Sequence, residues 1–387
     1  MTVRSLFQYQ RIQRFKRAGI IGRANLLDPM QTDWNKFQSH SIDWLRFPMA
    51  VAVVVLHHGT RLIQDASGPQ RALCILFQEG ICRLAVPCFF FISGYLFFSK
   101  LQQWDWGVWK AKIQRRAKTL LLPYILWNLI AFLAYWGYSA IRGDGLGFQQ
   151  SFTQCGGIRM FWATNGGLPI GVHASPIDGP LWFIRDLILY TLFTPLIFKF
   201  LKWTKNYGLL ALVLFFLLVP GYIPEGFVFY MTGAWLQLKQ KNVVELAWSQ
   251  RKFLYVISLA LLAGMYFVFG NEYWHRFLKV FFLFAGIGAS FCGTAALIQQ
   301  GRIRVRPFLA RSSFFLFATH EILILHDIAQ PLVDAILPST GKFWPCVEFF
   351  LVPALATGIC LGLLWLMERL IPRTTGLLTG NRKIQTA

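Results

Sequence analysis

Two ionisable residues in the first apolar stretch of the chain, Arg46 and His57, are spaced eleven residues apart. In an α-helix, eleven residues at about 100° each come to within about 20° of three full turns. Both side chains are therefore expected on one helix face, roughly 16 Å apart along the axis, whereas His58 falls about 120° away. This pattern indicates a site that holds an anionic donor at the arginine and transfers protons at the imidazole.

The helix that carries this pair is expected to cross a membrane, because the chain is too apolar for a soluble protein. Hydrophobic residues make up 55% of the sequence and charged residues 14%, with a mean hydropathy of +0.47, which leaves too little polar surface for a water-soluble fold. Stretches close to the roughly 20 residues that cross a bilayer lie at 44–62, 78–99, 119–139, 181–201, 207–223, 224–238, 253–270, 277–299, 308–326 and 346–367. The sequence predicts an all-α integral membrane protein, a bundle of about ten transmembrane helices.

The net charge of +21 is distributed between these stretches rather than gathered on one face or tail. A nucleic-acid-binding protein concentrates its basic residues on one surface, so the pattern argues against a nucleic-acid partner. Every second connection and both ends of the chain are basic, namely the N-terminal arm, 100–118, 199–205, 239–252, 302–306 and 369–383. By the positive-inside rule these segments face the cytoplasm, which places both termini there and favours an even number of helices.

One membrane domain is expected to make up most of the chain. The predicted organisation is a basic cytoplasmic N-terminal arm over 1–43, a transmembrane domain over 44–372 with an outward loop at about 140–179, and a cytoplasmic tail over 373–387. No cleavable signal peptide is expected, because the basic arm lacks an apolar core of about 7–15 residues. The seven cysteines have no metal-ligand spacing, so neither a metal site nor a disulfide is predicted.

Five groups of residues lie in order along the apolar part of the chain. They are Asp43-Trp44-Leu45-Arg46 with His57, Val86-Pro87-Cys88-Phe89-Phe90-Phe91-Ile92-Ser93-Gly94-Tyr95, Arg115-Arg116-Ala117-Lys118 with Pro123-Tyr124, Gly179-Pro180-Leu181-Trp182-Phe183-Ile184-Arg185-Asp186-Leu187, and Ser313-Phe314-Phe315 with Thr319-His320-Glu321. Together they resemble the membrane-bound acyltransferase family 3 over roughly 43–330. The resemblance implies a ten-helix O-acyltransferase that modifies surface carbohydrates or related acceptors. The chain departs from the family in the doubled His57-His58, in Lys118 where arginine is frequent, and in having no esterase-like periplasmic domain of the sort that some relatives carry.

Acyl transfer to a hydroxyl needs a base that takes the hydroxyl proton, a bound thioester donor, and groups that stabilise the oxyanion. Histidine is the side chain best suited to the first task near neutral pH, and ionisable residues inside membrane spans are functional by default because they are costly. We therefore predict His57 as general base or transient acyl carrier, and His320 as a second catalytic histidine. The alternative is a packing histidine, the role that we expect for His58 together with orienting its neighbour.

A basic patch is expected at the cytoplasmic mouth, beside the first three helices. Arginine binds phosphate through two parallel hydrogen bonds, whereas lysine acts as a point charge. Arg46, Arg115 and Arg116 are therefore predicted to bind the phosphates of acetyl-coenzyme A, or of another acyl-CoA, as donor substrate. No bound cofactor is predicted. The alternative is that these cations only determine membrane topology.

Other charged residues within the spans are assigned to acceptor contact or to ion pairs inside the bundle. Glu79 and Arg83 are four residues apart and can pair on one helix face, and Arg83 is also a candidate for the site. Arg185 and Asp186 point about 100° apart, so each is expected to find a partner elsewhere. Glu321 is assigned to the same group.

Ser93 and Gly94 follow an aromatic run in the second apolar stretch. Their small size is expected to let two helices approach each other closely. We favour this packing role over a nucleophilic serine, because no base lies at a fixed sequence spacing from Ser93.

The sequence thus predicts a bacterial inner-membrane O-acyltransferase that moves an acyl group from acetyl-CoA to a hydroxyl of a cell-surface glycan or glycolipid. An O-acetyltransferase is the favoured form of this prediction. Its expected partners are the acyl-CoA, the glycan or lipid-linked carbohydrate acceptor, and the lipid bilayer. The alternative from another class is a transporter or exporter of a sugar precursor or organic acid, in which the same charges line a pathway. A structural scaffold would leave the alignment of Arg46 with His57 unexplained.

Overall fold

The computed structural model describes residues 33–63, 67–99, 101–143, 146–164, 174–337 and 343–381, and the secondary structure within these ranges is helical, without strands. The predicted all-α class is confirmed for this part of the chain. The helices are α1 (Trp34–Leu62), α2 (Gly68–Phe98), α3 (Trp106–Arg142), α4 (Phe148–Gln154), α5 (Trp182–Leu192), α6 (Thr194–Leu218), α7 (Glu225–Leu238), α8 (Val243–Ser249), α9 (Arg251–Phe267), α10 (Glu272–Gln299), α11 (Pro307–Ile336), α12 (Trp344–Leu370) and α13 (Pro372–Thr379). Most of the predicted N-terminal arm lies outside the described residues, and α1 begins at Trp34 rather than at 44.

Seven of the described helices, α1, α2, α3, α6, α10, α11 and α12, are long and apolar enough to cross a membrane. Three more predicted spans are occupied by α5, α7 and α9, which have only 11, 14 and 17 residues. Large apolar side chains such as Leu210, Leu214 and Phe215 are exposed on the outside of the bundle, as suits a surface that contacts lipid. The chain is a multi-pass membrane protein, while the count of ten helices and the cytoplasmic termini stay predictions.

The helices around residue 200 are divided differently from the predicted spans 181–201 and 207–223. The chain breaks at Phe193, between α5 and α6, because Pro195 stands in the first turn of α6 and cannot continue the preceding helix. The predicted connection near 202–206 is instead a kink inside α6, at Lys205, whose φ is 54°.

The tightest helix contact in the core joins α2 to α7. A Cβ atom at Gly94 would overlap the carbonyl oxygen of Tyr230, and a Cβ atom at Gly233 would overlap that of Phe91. The close approach predicted at Gly94 is therefore confirmed, and Gly233 supplies the matching small residue on the partner helix. This contact holds the aromatic face of α2 in place beside α5 and α11.

Helix α11 is irregular in its middle. After Thr319 the backbone changes to π-helical geometry over His320–Ala329, with non-helical dihedral angles at Ile322 (ψ 90°) and Leu323 (φ 60°). A leucine in the left-handed region costs about 1–3 kcal/mol and persists only where the surrounding structure holds it. Such π segments inside α-helices occur often at functional sites, and this one begins at a predicted catalytic histidine.

Candidate active site

The predicted base His57 meets a carboxylate from the other end of the chain. Its Nδ1 lies 2.9 Å from Oε1 of Glu321, which is 264 residues away in sequence. Helix α1 supplies the histidine, and the irregular segment of α11 supplies the carboxylate, two residues before Leu323. The side chains are 22% and 28% exposed, so the pair is accessible from one side. The sequence pattern named both residues and did not indicate that they pair.

This hydrogen bond determines which nitrogen of His57 is reactive. An ionised carboxylate only accepts hydrogen bonds, so Nδ1 carries the hydrogen and Nε2 keeps the lone pair. A carboxylate on Nδ1 also orients the ring and stabilises the imidazolium that forms when Nε2 accepts a proton. Geometrically, His57 can therefore act as a base or a nucleophile through Nε2.

The second predicted catalytic histidine lies next to the first. The rings of His57 and His320 are 5.1 Å apart between centroids and cross at 72°. His320 is fully buried, and its Nδ1 lies 2.9 Å from the carbonyl oxygen of Leu316. Because a carbonyl also only accepts, Nε2 of His320 keeps its lone pair, and that atom has no hydrogen-bond partner among the described residues.

The neighbouring His58 has a different environment. It is buried, and its ring packs against Phe349 of α12 at 6.3 Å between centroids. The structure therefore separates the doubled histidines, with one against Glu321 and the other in a helix contact.

A cavity of about 610 Å³ lies near these histidines, although His57, His320 and Glu321 do not line it. Phe317 is part of its wall, and the ring of Phe317 lies 6.4 Å from that of His320. Helices α1, α2, α3, α5 and α11 enclose the cavity, with Phe89, Ile92, Phe183 and Phe314 among its apolar wall residues. Apolar side chains therefore make up much of the cavity wall, and one of them contacts the ring of His320.

The opposite part of the cavity wall is basic. The three predicted donor-binding residues, Arg46, Arg115 and Arg116, all line it, together with Lys112. Arg46 also forms an ion pair of 3.1 Å with Asp43, one helical turn away on α1. The structure therefore brings the predicted donor residues together in one cavity and adds Lys112, which the sequence offered only as one of many cations between 100 and 118.

The expectation that Arg185 and Asp186 find separate partners is wrong. They are buried and pair with each other, with Nη2 of Arg185 2.7 Å and Nε 2.9 Å from Oδ1 of Asp186. Nη1 of Arg185 also donates to the carbonyl oxygens of Trp162 and Ala174 in the outward loop. The long side chain of Arg185 bends toward its sequence neighbour, because burial leaves its charge few other partners. The pair ties the loop to α5, and neither residue lines the cavity.

Arg83 and Arg311 form ion pairs elsewhere in the bundle, the first within α2 and the second between α11 and α12. The predicted pair of Arg83 and Glu79 is confirmed, with Nη2 2.6 Å from Oε1 and Nε 3.2 Å from Oε2, and Arg83 does not line the cavity of Arg46. Arg311 binds Glu368 of α12 in the same two-bonded manner, at 2.8 and 2.9 Å. These cations act within the bundle.

Asp178, which the sequence did not single out for the site, lies beside the histidine pair. A Cβ atom on the next residue, Gly179, would lie 2.8 Å from Oε2 of Glu321. Asp178 is 1% exposed, and neither of its carboxyl oxygens has a hydrogen-bond partner among the described residues. Burial, and secondarily the charge of Glu321, raise the pKa of the Asp178 carboxyl well above its usual range. No sequence signal distinguished it from the other polar residues of its loop.

Comparison with known proteins identifies the family to which the chain belongs. The family described as acyltransferase domain matches residues 39–369. The chain belongs to this acyltransferase family, as the sequence motifs indicate. It is also similar to the succinoglycan biosynthesis protein ExoH of Rhizobium meliloti (strain 1021), with 28% identity over 323 residues, which is 80% of this chain and 82% of that protein. No solved structure matches it. Among the described residues, no group of three His, Cys, Asp or Glu side chains is placed to hold a metal ion.

Proposed function

We propose that the protein is an O-acyltransferase, and more specifically an O-acetyltransferase, that moves the acyl group of acetyl-CoA to a hydroxyl of a cell-surface glycan or glycolipid. The family membership supports acyl transfer, and the name of the relative, a succinoglycan biosynthesis protein, supports a polysaccharide acceptor. The observation that carries the proposal is the bond between His57 and Glu321 beside a cavity with basic and apolar walls.

The proposed donor position follows from the two kinds of wall. Arg46, Lys112, Arg115 and Arg116 offer bidentate and point-charge contacts to phosphates. No Asp or Glu is among the described residues that line this cavity, so the basic wall favours an anion. The apolar wall that ends near Phe317 suits an uncharged thioester arm, whose acyl end would then lie toward His320 and His57.

In the proposed step, Nε2 of His57 takes the proton of the acceptor hydroxyl as its oxygen attacks the thioester carbonyl. Glu321 stabilises the imidazolium through Nδ1. When the tetrahedral intermediate collapses, the C–S bond breaks and the imidazolium returns the proton to the departing thiolate, so that free coenzyme A and the ester are formed. In a covalent variant, Nε2 first attacks the thioester carbonyl, and the C–S bond breaks to leave the coenzyme A thiolate. The acceptor hydroxyl then attacks the acyl carbon, the N–C bond breaks, and the hydroxyl proton ends on the thiolate, so that the ester and free coenzyme A are formed.

The proposed setting is the inner membrane of a bacterium, with ten membrane-spanning helices and both termini in the cytoplasm. The donor would then enter from the cytoplasmic side, where acyl-CoA is made, and the outward loop at 140–179 would face the acceptor. The positive-inside rule supports this orientation.

Thioester turnover by the purified protein tests this proposal. In nanodiscs, with no sealed compartment and no ion gradient, the protein should release coenzyme A from labelled acetyl-CoA when an envelope glycan is supplied. Glu321→Gln should lower the rate by about 10²-fold, since the imidazolium loses its charge partner.

The transporter alternative gives the opposite result. A preparation that turns over no thioester with any envelope glycan, yet accumulates a sugar precursor or organic acid in sealed vesicles, would overturn the proposal.

A further inference from the structure

The chain does not leave the bundle when its last long helix ends. Helix α13 follows α12 directly and packs against α3, with Thr375 and Leu378 buried. The indole nitrogen of Trp127 on α3 donates to the carbonyl oxygen of Leu378 at 3.0 Å. The first part of the predicted tail over 373–387 is therefore an anchored helix.

The turn after α13 is held by backbone contacts. Gly380 and Asn381 both have left-handed backbone geometry, with φ of 71° and 48°, and the N–H of Asn381 donates to the carbonyl oxygen of Gly376 at 2.8 Å, as in a glycine-capped helix end. A Cβ atom at Gly380 would overlap the carbonyl oxygen of Thr119 on α3. Only glycine allows this approach, which determines where Asn381 lies.

Asn381 lines the cavity that contains Arg115, Arg116 and Thr119. It also lines a second cavity of about 540 Å³, between α11, α12 and α13, whose wall includes Arg311. Asn381 therefore lies where the two cavities adjoin, and it shares the lining of the first cavity with Arg115 and Arg116.

We infer that the turn Gly380–Asn381 is part of the donor site, and that the side-chain amide of Asn381 donates a hydrogen bond to a phosphate oxygen of the acyl-CoA. The inference rests on the proposed function, which places the acyl-CoA in this cavity. An asparagine amide offers two N–H donors, and its neighbours Arg115 and Arg116 supply the positive charge that attracts a phosphate. Anchoring the turn to α3, the helix that carries both arginines, keeps the amide and the guanidinium groups in one arrangement.

Equilibrium binding of coenzyme A and of phosphate-free pantetheine to the full-length protein in nanodiscs tests the inference. Asn381→Ala should raise the Kd for coenzyme A about tenfold, as expected for a hydrogen bond to a charged group, and the Kd for pantetheine by much less. Asn381→Asp should weaken coenzyme A binding further, because it adds a negative charge beside the phosphate. KM for acetyl-CoA should rise more than kcat falls.

A matched pair of glycine variants separates the position of the turn from backbone strain. Gly380→Ala should weaken coenzyme A binding at least as much as Asn381→Ala, because it displaces the turn from Thr119. Gly301→Ala is the control, since Gly301 also has a left-handed φ of 69° but a Cβ atom there would have no neighbouring atom within 4 Å. The Kd of this control variant should stay at the wild-type value.

The outcomes distinguish the inference from the proposed function. If the wild type binds coenzyme A and both the Asn381 and Gly380 variants keep its Kd, the inference is overturned and the proposed function stands. Equal losses of coenzyme A and pantetheine affinity would overturn the phosphate contact. A wild-type protein that binds no coenzyme A at all would remove the proposed function and the inference with it.

Discussion

Two neighbouring regions of the bundle, the cavity with its four cations (the basic end) and the histidine–carboxylate pair (the histidine end), differ in how their charges are compensated. At the basic end, Arg46, Lys112, Arg115 and Arg116 line the cavity with no Asp or Glu among the described residues of its lining, and Asp43 binds Arg46 from outside that lining. At the histidine end, His57 is paired with Glu321 at 2.9 Å, and His320 is buried with its Nδ1 on a backbone carbonyl. One end therefore carries excess positive charge, while the other is internally matched.

This difference indicates a division of labour. Excess positive charge favours binding of an anionic ligand. A side chain that only binds the ligand needs to reach it but need not be held in one orientation. A group that transfers protons must instead be held in one orientation and one tautomer, which its own hydrogen-bond partners provide. The basic end is thus suited to affinity, and the histidine end to the rate of the chemical step.

Replacing His57 should have the largest effect of these changes, because it lowers the rate of the chemical step without removing a donor-binding residue. His57→Ala should lower acyl transfer by about 10²–10⁴-fold, because it removes the base itself, with little change in membrane insertion or donor binding. The control is His58→Ala, which should retain much of the activity since His58 packs against Phe349. Transfer rates of the two purified variants provide the measurement, and comparable activity in both would contradict the assignment of His57.

A charge change at the basic end should affect donor affinity rather than the chemical step. Arg115→Gln should raise the KM for acetyl-CoA about tenfold through loss of a charge-assisted contact, and Arg115→Lys should restore it only in part, because the two-pronged guanidinium is lost. Lys110→Gln is the matched control, an exposed cation on the same helix outside the cavity. An unchanged donor Kd in Arg115→Gln would leave this arginine with a role in topology alone.

The smallest effect is expected at Asp178, a buried carboxyl group whose neighbour Gly179 lies against Glu321. Its raised pKa favours the uncharged form, so no unmatched negative charge is buried there. Because its folded-state pKa is raised, the folded protein holds this proton more tightly than the unfolded chain, where the pKa is about 3.9. Wild-type stability therefore falls as the pH rises from about 4 toward the raised pKa. Asp178→Asn should show no such fall.

Apparent melting temperatures of the two proteins across the pH range check this. The asparagine variant should melt at a higher temperature than the wild type at pH 7 to 8, and the difference should vanish near about pH 4. A variant that melts lower than the wild type at every pH would show instead that an ionised Asp178 stabilises the fold.

Local sequence spacing and side-chain size were sufficient for some contacts, although not for every pair carried by one helix. The pairing of Glu79 with Arg83 and the close approach at Gly94 follow from helix geometry and side-chain size, and both are found. The same geometry named Arg46 and His57 on α1. These features could be predicted because an α-helix repeats every 3.6 residues, whatever it packs against.

Contacts between distant segments could not be predicted in this way. The approach of Glu321 to His57 depends on how α11 packs against α1 and on the break at Ile322 and Leu323. Burial can also override local geometry, because Arg185 pairs with the adjacent Asp186 where the buried guanidinium has few other partners.

The sequence by itself determined the all-helical class and the residue types that make up the site, while some of the predicted spans are divided differently in the structure. Only the tertiary structure decided that Glu321 orients His57, that four cations line one cavity, and that Asn381 stands at its basic side. The physical reason is that helix periodicity is a property of a few neighbouring residues, whereas the meeting of two helices depends on the packing of the whole bundle.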